Sequence, residues 1–227
     1  MGAATARTNA CSAILSLESM LNAIDALERL RQGNRRFVAK QTAGRGVLSI
    51  PTPHAELIGG QEPFAIILGC SDSRVPAELI FDQGFGDLFV IRVAGNIVAP
   101  SQVGSVEFGA SKFGTRLVVV LGHSQCGAVT AALDELQGRS TNESHNLRAI
   151  VDRVRPSVET VLASGGHASN ADLLEEAVRA NVRASADHLR HGSELLEKLI
   201  HGQGLMVVGA QYSLETGMVD FFDVMPA

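Results

Sequence analysis

Between residues 64 and 123 the chain alternates unbroken apolar runs with segments whose apolar positions recur every three or four residues. The runs FAIILG from Phe64, DLFVIRVAG from Asp87 and RLVVVLGH ending at His123 lack strand-like polar alternation, the pattern of strands covered on both faces. Helical segments follow each: one starts at Pro76, one runs through SVEFGASKFG, and one opens at Gly127 and continues to Leu136. A further helical stretch is clearest from Ala171 to Leu189, and LMVVGAQY predicts another strand ending at Tyr212. Strands that alternate with helices predict an α/β fold with a mainly parallel central sheet flanked by helices.

Ahead of this body the period is helical. Leu17, Leu21, Ile24, Leu27 and Leu30 recur at three- and four-residue steps, which predicts an amphipathic helix from Ser16 to Arg31, ended or bent at Gly33–Asn34. TAGRGVLSIPTPH, Thr42 to His54, is rich in glycine and proline and predicts a surface connection. Residues 1–40 are thus expected to form an N-terminal helical arm and residues 41–227 the α/β body of one domain. No internal repeat or low-complexity tract interrupts them.

Composition narrows the function classes. With 45% hydrophobic and 19% charged residues over 227 positions, the chain is globular and long enough to bury a substantial core. A formal net charge of -5, without a basic cluster, argues against nucleic acid and anionic lipid as partners. No apolar run reaches membrane-spanning length. The opening MGAATARTNACSAILSLESML is interrupted by Glu18, and Ala6 stands where myristoylation needs Ser or Thr. A cytoplasmic protein is expected. Cys11, Cys70 and Cys126 are too few and too scattered for a disulfide framework.

Chemistry gathers at two strand ends. The first strand runs out in CSDSR, placing Cys70, Asp72 and Arg74 at alternating positions, and the third runs out in GHSQCGA, with His123 and Cys126 on the turn into a helix. In an open α/β sheet the functional crevice lies beyond the carboxyl ends of the strands, where these two segments would meet. Two thiolates and an imidazole suit zinc, and three protein ligands leave a fourth position for water or for a carboxylate such as Asp72. Taken separately, His123 and Cys126 read as a turn histidine and a buried thiol, and Asp72–Arg74 as a local ion pair of small energetic value. Their joint occurrence favours a catalytic metal, with an arginine-held carboxylate orienting the nucleophile.

CSDSRVP and GHSQCGA, together with LRQGNRRF, GDLFVIRVAGN, SVEFGASKFGTRLVVVLGH and GAQYSLETG in this order, resemble the β-class carbonic anhydrases of bacterial type. The resemblance implies a zinc enzyme interconverting carbon dioxide with bicarbonate and a proton. It places one Zn2+ per chain on Cys70, His123 and Cys126, the catalytic dyad on Asp72 and Arg74, and Asp72 on the metal only in a closed form. It also places a substrate glutamine on Gln61, an apolar wall on Phe89 and Ala94, and Gly127 beside the metal. Members pair through their helical arms and build each site at the interface, with the glutamine donated across it, which implies a homodimer or tetramer. A regulatory bicarbonate site in some members needs a Trp-Arg-Tyr set. Here Arg92 matches the arginine, but Ile67 and Phe108 stand at the other positions and the chain has no tryptophan, so that site is expected to be absent or weakened and the open form to prevail at alkaline pH.

None of His54, His145, His167, His188, His191 and His201 announces itself as a proton shuttle. Two alternatives remain at this stage: hydrolysis of another small heterocumulene such as carbon disulfide on the same site, or a non-catalytic module with a structural zinc or a Cys70–Cys126 redox pair.

Overall fold

Successive residues of the apolar runs face opposite sides of one sheet and feed two separate cores. A computed structural model describes residues 21–44, 58–140 and 144–224. Its strands are β1 (Ala65–Gly69), β2 (Leu88–Arg92), β3 (Leu117–His123), β4 (Met206–Tyr212) and β5 (Val219–Val224), in the order β2-β1-β3-β4-β5. The first four are parallel, and β5 is an antiparallel edge strand on β4. Ile67, Val119, Leu121 and Val208 enter one apolar cluster, while Ile66, Leu68, Val118, Val120 and Val207 enter the other. Burial on both faces explains why the strands read as continuous apolar runs.

Helix α1 (Ala23–Thr42) covers the first face with Leu27, Leu30 and Phe37. Its N-cap Asn22 accepts a hydrogen bond from the Asp25 amide at 2.9 Å. The short α2 (Ala77–Ile80) follows β1, and α3 (Pro100–Lys112) follows β2. α4 (Gly127–Leu136) leaves β3, α5 (His145–Ser164) and α6 (Asn170–His191) pack on it, and α7 (Glu194–Gln203) leads into β4. α6 and α7 cover the second face through Val182, Ala186, Leu189, Leu196 and Leu199. Among the described residues no helix is long and apolar enough to cross a membrane.

The expectation that Gly33–Asn34 ends or bends the first helix is overturned: α1 runs on to Thr42. Glycine is there for space, since a Cβ at Gly33 would stand 1.8 Å from the Phe81 carbonyl oxygen. Asn34 is buried, donates to the carbonyls of Ile80 and Gly217, and accepts from the Val219 amide. The amphipathic reading was right for Leu27 and Leu30, whereas Ile24 is 73% exposed. Residues 16–20, Cys11, His54 and most of the Thr42–His54 connection lie outside the described residues.

Candidate metal centre

The sheet order reverses at β1 and β3: the chain moves from β1 outward to β2, and from β3 the other way to β4. The crevice at such a switch point opens beyond the strands' carboxyl ends. Cys70 follows β1, His123 ends β3, and Cys126 is the residue before α4. Between the last two, Gln125 takes a left-handed conformation, φ 55°, which turns the chain tightly enough to return Cys126 beside His123. Two bonds to the β4 end fix this turn: the Ser124 amide donates to Tyr212 O and the Leu214 amide to Ser124 Oγ, both at 2.9 Å.

The Sγ atoms of Cys70 and Cys126 and a ring nitrogen of His123 lie within 4.8 Å of one another, and all three residues are buried. His123 Nδ1 sits 2.9 Å from the Ser124 carbonyl oxygen, which can only accept, so Nδ1 carries a proton. That leaves Nε2 as the lone-pair atom, and it is fully buried with no hydrogen-bond partner. A buried, orphaned imidazole nitrogen facing two thiols is what a soft divalent cation would satisfy. The thiols point the same way. A hydrogen bond between Cys70 and Cys126 lowers the Cys70 thiol and raises that of Cys126, so the pair releases one proton readily and retains the second until a cation takes its place. The donor set fits zinc.

Asp72 lies at the rim, with Oδ2 3.9 Å from His123 Nε2. Arg74 grips it three ways: Nε to Oδ1 at 2.9 Å, Nη2 to Oδ2 at 2.7 Å, and its own amide to Oδ1 at 2.9 Å. These bonds, the guanidinium's first, hold the Asp72 carboxyl well below the usual carboxylate range. Arg92, at the end of β2, donates to the carbonyl oxygens of Cys70 (3.0 Å) and Asp72 (2.6 Å) and so braces the loop carrying both.

The remaining candidates fall in two groups. Ala94 and Gly127 adjoin the cluster along the chain: Ala94 begins the 3-10 turn after β2, whose Gly95 amide donates to Cys70 Sγ at 3.3 Å. Gly127 follows Cys126, is exposed, and has nothing within 4 Å of where a Cβ would project. Gln61 and Phe89 are elsewhere in the chain. Gln61 is exposed ahead of β1 and lines a cavity of about 660 Å³ with Lys112, Phe113 and Arg116, at the end of the strand opposite Cys70, about 16 Å away at 3.3 Å per residue. Phe89 stacks with Phe108 and Phe113, ring centroids 6.1 and 5.7 Å apart. His145, His188, His191 and His201 are exposed, and His167 packs against the Val161 carbonyl. Sequence reasoning did not reach Gly95, nor Asn181 and Ser185 of α6, which donate to the carbonyls of Gly95 (2.8 Å) and Asn96 (3.1 Å). The signal available was a polar pair four residues apart on the apolar stripe Val178, Val182, Ala186 and Leu189.

A mainly parallel sheet with two cysteines and a histidine converging at its switch point defines an α/β protein with a candidate metal centre, and similarity to known proteins narrows its class. The family model described as carbonic anhydrase matches residues 65–219. Carbonic anhydrase 2 of Mycobacterium tuberculosis is 38% identical over 198 residues, covering 86% of this chain and 91% of the relative. Among solved structures, a β-carbonic anhydrase of the fungal pathogen Aspergillus fumigatus superposes with TM-score 0.67 at 26% identity, covering 86% of this chain and 89% of that one. The Coccomyxa β-carbonic anhydrase complexed with acetazolamide gives TM-score 0.66 at 25% identity, covering 84% and 83%. The chain belongs to the β-carbonic anhydrase family.

Proposed function

We propose that this protein catalyses the zinc-dependent, reversible hydration of carbon dioxide to bicarbonate and a proton. The observation that carries the reading is the buried Cys70, His123 and Cys126 set, ligand atoms within 4.8 Å, beside a carboxylate that Arg74 keeps ionised. Cys70, Cys126 and His123 Nε2 would hold one Zn2+, which supplies the Lewis acidity that makes water nucleophilic near neutral pH. Asp72, held by Arg74 as an acceptor only, receives a hydrogen bond from the attacking water and aims its lone pair at the carbon of the substrate. The open space at Gly127 and the methyl group of Ala94 suit a small, linear, apolar molecule. Attack yields bicarbonate, and the proton passes to solvent.

Gln61 precedes β1 and Phe89 pairs with Ile66, four residues before Cys70, which sets both about 13 Å or more along the strands from the Cys70 centre of their own chain. They complete the centre of a second copy, which makes a homodimer the minimal unit, with a tetramer as a pair of dimers. Leu27, Leu30 and Phe37 pack on the strands that carry the site, so the arm and the α/β body work as one domain. Arg92 is engaged with two carbonyls, Ile67 is buried in the core and Phe108 is exposed, which supports the absence of a regulatory bicarbonate site and an open centre with Asp72 on Arg74. Buried free thiols at Cys70 and Cys126 suit a reducing, cytoplasmic setting.

Stopped-flow hydration of carbon dioxide, with carbon disulfide hydrolysis run in parallel, tests the reading. The native protein should hydrate carbon dioxide, leave carbon disulfide intact, and lose about 100-fold or more in rate on Asp72→Asn. Turnover of carbon disulfide alone, or an Asp72→Asn protein at the native rate, overturns it.

A further inference from the structure

Gly95 and Asn96 occupy two successive left-handed conformations, φ 69° and 44°. For asparagine this costs free energy and persists only where neighbours impose it. Four neighbours do. The Asn96 amide donates to Val93 O at 3.1 Å. Ala128, on the first turn of α4, stands so near that a Cβ on Gly95 would lie 2.9 Å from its methyl. Asn181 and Ser185, one turn apart on α6 and 2% and 6% exposed, each donate to one of the two consecutive carbonyls. The product of this clamping is one directed group: the Gly95 amide on Cys70 Sγ at 3.3 Å. α6 also abuts the other side of the centre, since a Cβ at Gly122, next to His123, would meet Val182 at 2.5 Å and Val178 at 3.3 Å.

We infer that Asn181 and Ser185 are positioning residues for the metal centre, holding the Gly95 N–H on the Cys70 sulfur; the inference rests on the zinc reading above. Two thiolates donate more electron density to a cation than imidazoles do and so blunt its Lewis acidity. An N–H aimed at one sulfur withdraws part of that density and fixes the direction of its lone pairs. α6 carries no ligand, yet it sets how strongly Cys70 donates.

The test uses the full-length protein loaded with cobalt in place of zinc, because the thiolate-to-cobalt charge-transfer band reads electron density on sulfur directly, whereas a purely structural role moves only thermal stability. Asn181→Val and Ser185→Ala remove the donors, and Ser185→Thr keeps the hydroxyl. The expected result is a band moved to longer wavelength in Asn181→Val and Ser185→Ala but not in Ser185→Thr, with zinc affinity in chelator competition about 10-fold or more weaker in the first two. Should Asn181→Val not fold, the Ser185 pair decides by the same readout. Native band position and zinc affinity in a folded Ser185→Ala protein, or in a folded Asn181→Val protein, overturn the inference. A native protein that takes up neither metal overturns the zinc reading as well, so the two failures are told apart.

Discussion

Asp82 adopts a left-handed conformation, φ 49°, and accepts from Lys40 Nζ at 2.5 Å and Arg36 Nε at 2.6 Å. Burial pushes its carboxyl up, but the two cations outweigh this and leave it below its ordinary value. A carboxyl lowered in the folded state adds stability above the unfolded pKa, near 4, and that stability is lost as pH falls through the lower folded value. Asparagine tolerates the same backbone. Asp82→Asn is therefore expected to cost about 1 kcal/mol at neutral pH, with the deficit closing as pH falls below about 4. Urea denaturation at pH 7 and pH 3 checks it, and a deficit independent of pH would contradict it. Asp72 is held by a comparable cation grip but faces the crevice rather than a helix, which is why its loss is expected in rate.

α1 is anchored where the sequence suggested a break. Gly33→Ala raises helix propensity by about 1 kcal/mol, yet its methyl would enter the space of the Phe81 carbonyl, 1.8 Å away. The clash wins, and a net loss of about 2 kcal/mol is expected in denaturant unfolding; an unchanged or higher midpoint would show that α1 can shift. The sheet was legible because β1, β3 and β4 are apolar on both faces, a property of each segment alone. β5 was not legible. Asp220 and Asp223 interrupt its apolar pattern, and they are tolerated because Arg179 and Arg190 of α6 pair with them at 2.8 and 3.0 Å. Gly33 misled for the same reason, since the contact that requires it is 48 positions further along the chain, at Phe81.

In the whole molecule the convergence of Cys70, His123 and Cys126 and the Asp72–Arg74 pair were legible because C-x-D-x-R and H-x-x-C sit on two strand ends that the topology places side by side. The Gly95 amide and its clamp on α6 were not, being backbone donors and distant side chains that only the packed fold assembles. The separation of Gln61 from the Cys70 centre gives assembly a sharp consequence. Gln61→Ala and Cys126→Ser proteins, each inactive alone, should regain hydration well above either parent when refolded together, since a mixed dimer contains one complete site. No recovery in a mixture shown by sedimentation to contain mixed dimers would place Gln61 outside the reaction. The central claim, that Cys70, His123 and Cys126 hold the catalytic zinc, is tested most directly by zinc content and carbon dioxide hydration measured together on the native protein and on Cys126→Ser. The account predicts one zinc per chain and rapid hydration in the native protein, and loss of both on substitution; a Cys126→Ser protein with full zinc and the native rate would contradict it.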